Sequence, residues 1–93
     1  MSGGKDRLSR LLVGMGRRRL DAYLCVRMTN VRYLSGFTGS EAALLVTPSG
    51  AVLCTDGRYD AQAREEVRGA DVVVTERKWE TVSRRLRRSG AKR

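Results

Sequence analysis

Few side chains in this sequence have the type and spacing to do chemistry, and the gaps are informative. There is no histidine, which removes Ser-His-Asp, Cys-His and HExxH arrangements together. Ten Asp and Glu residues remain, but none stand at the spacing of a hard-cation cage. Cys25 and Cys54 sit inside apolar runs, without CxxC spacing. They read as buried thiols of a cytoplasmic protein rather than a disulfide or a metal pair. Gly36-Phe37-Thr38-Gly39-Ser40 has the glycines of a phosphate loop, but it lacks the GK[ST] ending and precedes a strand. The remaining candidates are Asp56 and Arg58. Asp56 stands where an apolar run gives way to a helical pattern and is suited to capping it. Arg58 either pairs with Asp56 or offers its planar fork to another carboxylate or carbonyl, which a lysine would do less well.

The elements that must position these residues follow from periodicity. Leu8, Leu11, Leu12 and Met15 make one apolar stripe of a helix over residues 6–19, its last turn weakened by Gly14 and Gly16. Residues 21–26 form a short apolar run, expected as a buried strand. Thr29 or Asn30 caps a short helical turn through Leu34, and Gly36 and Gly39 then open a loop from Ser35 to Glu41. The runs 42–47 and 51–55 flank Pro48-Ser49-Gly50, which predicts a hairpin. A helix follows from Arg58 to Val67, with Tyr59, Ala63 and Val67 on its inner face and Gly69 as its stop. Val72-Val73-Val74 is the fourth strand. Trp79, Val82 and Leu86 mark the apolar side of a last helix, with Trp79 in the core and Gly90 at its end.

This order predicts an α/β fold, a mixed sheet flanked by helices, in a single domain over residues 1–93. Gly90-Ala91-Lys92-Arg93 reads as a turn into a further strand, so the domain is expected to be truncated at its C-terminal end, with an open sheet edge favouring association. No apolar run reaches about 18 residues, so no membrane span is expected, and Met1–Lys5 does not read as a secretory signal.

Nineteen Lys and Arg give a formal net charge of +9, which raises the question of nucleic acid. The excess is concentrated at Arg17-Arg18-Arg19 and along Arg84, Arg85, Arg87 and Arg88, with Lys92 and Arg93 beyond. Cations at a helix C-terminus are favoured by its dipole, and no aromatic residues interleave with either run as a single-strand stacking surface requires. A solvated surface is the reading, with no nucleic-acid partner expected.

Three segments taken together carry a resemblance. Asn30-Val31-Arg32-Tyr33-Leu34-Ser35-Gly36-Phe37-Thr38-Gly39-Ser40 is followed by the strand Ala43–Thr47, then by Thr55-Asp56-Gly57-Arg58-Tyr59 with Gln62-Ala63. This pattern resembles the N-terminal domain of the Xaa-Pro aminopeptidase and prolidase family, a creatinase/prolidase-like fold with a ribonuclease H-like motif. It extends over residues 7–93. The sequence departs from the family pattern at Cys54 and Asp60, where aromatic residues are common.

The resemblance implies a metallopeptidase that releases the residue before a penultimate proline. Its catalytic "pita-bread" domain follows the N-terminal one and holds two divalent ions (manganese, cobalt or zinc) through aspartates, glutamates and a histidine. None of those ligands falls in this sequence, so no catalytic residue, metal ligand or cofactor is assigned to it and it is expected to be inactive alone. The domain's implied role is to form oligomer contacts and to wall the cleft, often that of a neighbouring subunit. The implied partners are its own catalytic domain, a second subunit as homo-oligomer, and the peptide substrate. Arg32, Phe37, Ser40, Glu41 and Arg58 are then the candidate contact residues, while Asn30, Tyr33, Gly36, Asp56 and Tyr59 build the motif. For Phe37, Tyr33, Arg32 and Glu41 a purely structural role competes with contact. The alternative function is a non-catalytic peptide-binding module of the same fold.

Overall fold

The computed structural model describes residues 3–18 and 21–89, with side chains from Arg7 onward. Apolar spacing sets its layers. Helix α1 (Gly3–Arg17) buries Leu8 and Met15 and half-buries Leu11 and Leu12. Strand β1 (Tyr23–Cys25) leads to helix α2 (Met28–Ser35), hairpin strands β2 (Ala43–Thr47) and β3 (Gly50–Thr55), a 3-10 turn (Gly57–Tyr59) and helix α3 (Asp60–Glu66). Strand β4 (Asp71–Val74) and helix α4 (Lys78–Ser89) complete the order.

The four strands lie in the order β1-β2-β3-β4. β1 and β2 are antiparallel, β2 and β3 form a hairpin pairing Leu44 with Leu53 and Leu45 with Val52, and β3 and β4 run parallel, joined through α3. The sheet is therefore mixed, as its alternating helices and single hairpin require. Both faces are covered, so β2 is buried along its whole length and reads as a continuous apolar run. Leu44, Val46, Leu53 and Cys25 face α1, α2 and α3, with Val31, Leu34, Phe37, Ala63 and Val67 filling the space between. Ala43, Leu45, Val52 and Cys54 face the other way, under Val82 and Leu86 of α4. Both thiols are buried and free, and burial pushes their pKa up. No helix among the described residues is long and apolar enough to cross a membrane.

Several boundaries differ from those expected. α1 starts at Gly3, three residues before the expected start at residue 6. α2 is a full two turns, and neither Thr29 nor Asn30 caps it. The cap position is Arg27, in extended conformation and without a side-chain bond, while Thr29 and Asn30 lie inside the first turn. The helix begins early because Met28 packs against the core. At its other end Gly36 adopts φ 86° and its N–H returns to the Arg32 carbonyl, the left-handed cap expected of glycine. α3 stops at Glu66, before Gly69: Val67 turns extended, its side chain sinks into the core, and the chain heads for β4. Arg19, Leu20, Gly90, Lys92 and Arg93, and with them the expected further strand, lie outside the described residues.

The largest correction concerns Trp79. It is 53% exposed, because the first turn of α4 lies past the end of the sheet, beside Glu41 and Thr75. α4 buries Thr81 and Val82 instead.

Candidate functional site at one end of the sheet

Topology concentrates the polar motif residues. The start of β2, the end of β3 and the end of β4 all lie at the same end of the sheet, because β3 and β4 are parallel and β2 opposes them. Outside the carboxyl ends of parallel strands, a crevice is the usual place for recognition in α/β folds. Here it is an open cleft of about 470 Å³ lined by Glu41, Thr55, Asp56, Thr75, Glu76, Lys78 and Trp79, among others.

Asp56 ends β3 and starts the 3-10 turn. Its Oδ1 accepts the backbone N–H of Arg58 at 3.0 Å, which is the cap expected of it. The same carboxylate takes the guanidinium in a two-pronged pair, with Nε to Oδ1 at 2.9 Å and Nη2 to Oδ2 at 2.8 Å. The hydrogen bond from Arg58 holds the Asp56 carboxyl below the usual carboxylate range, and Asp56 in turn raises Arg58. Arg58 Nη2 also reaches Glu41 Oε2 at 3.3 Å. Glu41 Oε1 meets Lys78 Nζ at 3.3 Å. A chain of charges thus runs Asp56–Arg58–Glu41–Lys78 across the sheet end. Lys78 also lies 5.0 Å from the Trp79 ring centroid, a cation–π contact. Thr55, itself buried, donates its hydroxyl to the Glu41 carbonyl at 2.8 Å and so fixes where Glu41 leaves the loop.

The loop 36–42 is built on Phe37. That ring is fully buried and meets Tyr59 edge to face, with centroids 5.6 Å apart. A side chain on Gly39 would overlap the Phe37 ring, so at this glycine the loop backbone closes on the protein's own core. The Tyr59 hydroxyl is hydrogen-bonded to Ser40 Oγ. Below the loop, buried Ser35 donates to the Val31 carbonyl at 2.6 Å and accepts the Phe37 N–H at 3.3 Å.

The expected contact residues therefore divide. Ser40, Glu41 and Arg58 come together at the sheet end. Phe37 does not join them, because full burial leaves it no surface to offer a partner. Arg32 is exposed on α2, beside Tyr33. Asn30 is exposed on the same helix, and Tyr33 stacks under the Arg7 guanidinium, 4.2 Å from its ring centroid, while Arg7 Nη1 donates to the Tyr33 carbonyl. Gly36 needs its left-handed φ and would also bring a side chain to 3.0 Å from the Glu66 carbonyl oxygen. Arg58 is occupied on two of its three nitrogens, by Asp56 in the two-pronged pair and by Glu41 on Nη2 as well. Sequence reasoning missed Lys78 and Glu66. Lys78 carried no signal, since only the fold brings it to Glu41. Glu66 stood four residues after Gln62, a helical spacing that placed the two side by side.

No group of three or more His, Cys, Asp or Glu among the described residues is placed to hold a metal ion.

A model of the creatinase/prolidase N-terminal domain matches residues 7–93. The chain belongs to that family. This creatinase/prolidase N-terminal domain is 36% identical over 67 residues to an uncharacterized peptidase, YqhT, of Bacillus subtilis, an alignment that covers 72% of the chain. It spans only 19% of that relative's length. Among solved structures, an Xaa-Pro aminopeptidase from Streptococcus pyogenes is similar with a TM-score of 0.88 and 33% identity, over 95% of this chain and 68% of that one. The N-terminal domain of the cytoplasmic peptidase PepQ from Mycobacterium tuberculosis gives 0.84 and 37%, over 94% and 68%. The mixed sheet and its flanking helices are thus those of the creatinase/prolidase N-terminal domain.

Proposed function

We propose that this domain serves a proline-specific metallopeptidase as a wall of its cleft and as a contact surface between subunits, and that it has no hydrolytic activity alone. The observation carrying this reading is the grouping of Ser40, Glu41, Arg58, Lys78 and Trp79 at one sheet end, all but Lys78 exposed, with no nucleophile–base pair or metal donor set among the described residues there. Such a surface binds and orients; it has nothing with which to activate water. Trp79 and Arg58 are residue types that anchor protein contacts. The hydrolytic metal centre, with its two divalent ions, belongs to a partner domain in this reading, and the peptide is bound between the two. Two buried, unpaired thiols suit the cytoplasm.

The test is hydrolysis of Xaa-Pro peptides by the purified 93-residue chain with manganese or cobalt added. The expected result is no release of the N-terminal residue above buffer. Turnover that tracks the protein through purification and is abolished by chelation overturns the proposal. Titration of the same peptides, followed by Trp79 emission, checks the division of labour: saturable tight binding by the isolated chain replaces the cleft-wall reading with that of a self-sufficient peptide-binding module.

A further inference from the structure

Glu66 is unused by the cleft, yet its carboxylate is among the most fully engaged polar groups in the molecule. It lies at the end of α3 and reaches back under the loop 36–42. Oε1 accepts the Thr38 backbone N–H at 2.8 Å, and the Thr38 hydroxyl lies 3.0 Å from Oε1 and 2.8 Å from Oε2. Gln62, one turn earlier on α3, completes the ring: its Nε2 donates to Thr38 Oγ1 at 3.0 Å and to Glu66 Oε1 at 3.3 Å. Next to this ring, the Arg68 N–H bonds to the Ser35 carbonyl at 3.0 Å, and the Gly36 backbone approaches the Glu66 carbonyl closely. The end of α3 and the start of the loop are thus stapled at successive points on both chains.

The staple has a directional consequence. Thr38 is two residues before Ser40 and three before Glu41. Downstream the loop is held by Tyr59 on Ser40 and by Thr55 on the Glu41 carbonyl. Upstream, between the buried Phe37 ring and Ser40, the side-chain bonds holding the loop are those of Glu66 and Gln62. A threonine N–H in an exposed loop has water as an alternative partner. A carboxylate competes with water far better than a neutral acceptor, because charge-assisted bonds are roughly twice as strong.

We infer that Glu66 is a positioning residue: through Thr38 it sets the conformation of the loop 36–42 and thereby the placement of Ser40 and Glu41 at the sheet end. The inference rests on the cleft-wall reading for its purpose but not for its geometry. The facing groups are all accounted for: Thr38 from the loop, Gln62 from α3 itself, and the Arg32 guanidinium of α2, whose charge also favours the ionised form, together with the bonds from Thr38 and Gln62.

Amide hydrogen exchange on the whole chain tests it, resolved by residue, for wild type and for Glu66→Ala and Glu66→Gln. In the alanine variant, exchange at Thr38 is expected to accelerate by about tenfold or more, the loss of one charge-assisted bond. Leu44 and Leu53, in the centre of the sheet, should keep their wild-type rates. Glutamine keeps an acceptor without the charge, so its Thr38 rate should fall between the two. A second signature is spectroscopic: the Thr38 amide proton shift should follow the titration of Glu66 in wild type and lose that titration in Glu66→Gln. The inference is overturned if Thr38 exchange in Glu66→Ala stays within about twofold of wild type. It is equally overturned if Leu44 and Leu53 accelerate in step with Thr38 in both variants, since Glu66 would then support the whole fold. Neither result bears on whether peptides are hydrolysed or bound, so a failure here is distinct from a failure of the cleft-wall reading.

Discussion

Asp56 performs two tasks with one carboxylate, and they can be separated. Asparagine caps a helix start about as well as aspartate but cannot hold a guanidinium as an ion pair; alanine does neither. The melting temperature should therefore fall in the order wild type, Asp56→Asn, Asp56→Ala at neutral pH. The pH dependence follows from the direction of the shift. Asp56 titrates lower in the folded chain than its ordinary 3.8, so its stabilising contribution is fully present above that value and is lost as pH falls through the folded pKa. Thermal melts between neutral pH and strong acid should show wild type losing this part of its stability while Asp56→Asn, having no carboxyl there, does not. Parallel curves for the two proteins would mean that the pair contributes nothing. Gly39 permits an equally local test. Its conformation is open to other residues, but the Phe37 ring occupies the space of a side chain. Because Phe37 is fully buried and wedged against Tyr59, it has little freedom to move aside. Gly39→Ala should cost about 1–3 kcal/mol, the usual range for overpacking, measured by denaturant unfolding.

At the scale of elements, the sequence carried the order of helices and strands because each apolar period lies on a single face. The stripe of α1, the hairpin around Pro48-Ser49 and the run Val72–Val74 are of this kind. Boundaries were less legible where burial overrode local chemistry. Thr29 and Asn30 are good caps, but packing of Met28 carried α2 past them; Gly69 is a good stop, but Val67 had already been drawn into the core. The site was half legible. Asp56 and Arg58 are close in sequence, so their pairing was within reach, whereas Lys78 meets Glu41 only because β4 is parallel to β3. Trp79 failed for a related reason: helical spacing says which side of α4 it occupies, not whether the sheet extends beneath it. It is the sole tryptophan, so its fluorescence reports one environment. Emission of the folded protein should be close to that of tryptophan in water, readily quenched by acrylamide, and should shift little on unfolding. A blue-shifted, protected spectrum would place the first turn of α4 over a covered surface.

For the whole molecule the question is which electrostatic effect dominates. Five ion pairs are present among the described residues, all with at least one well-exposed partner, and exposed pairs contribute roughly 0–1 kcal/mol each. Salt weakens them. Against this stands a formal charge of +9 on 93 residues, in a body only 35 × 31 × 19 Å across. Basic residues stand on α1 at one face of the sheet and on α4 at the other, and the ten acids are too few to neutralise them. The compact state suffers this repulsion more than the expanded chain does, and salt relieves it over the same range, since the screening length falls from about 30 Å at 0.01 M to about 8 Å at 0.15 M. All three dimensions of the molecule exceed the shorter length, and even the longest is close to the longer one. Repulsion summed over many pairs should therefore respond to salt more than a handful of contacts does. The melting temperature is expected to rise between these two sodium chloride concentrations. A fall over the same range would show that the chain of charges from Asp56 to Lys78, and not net repulsion, governs the salt response.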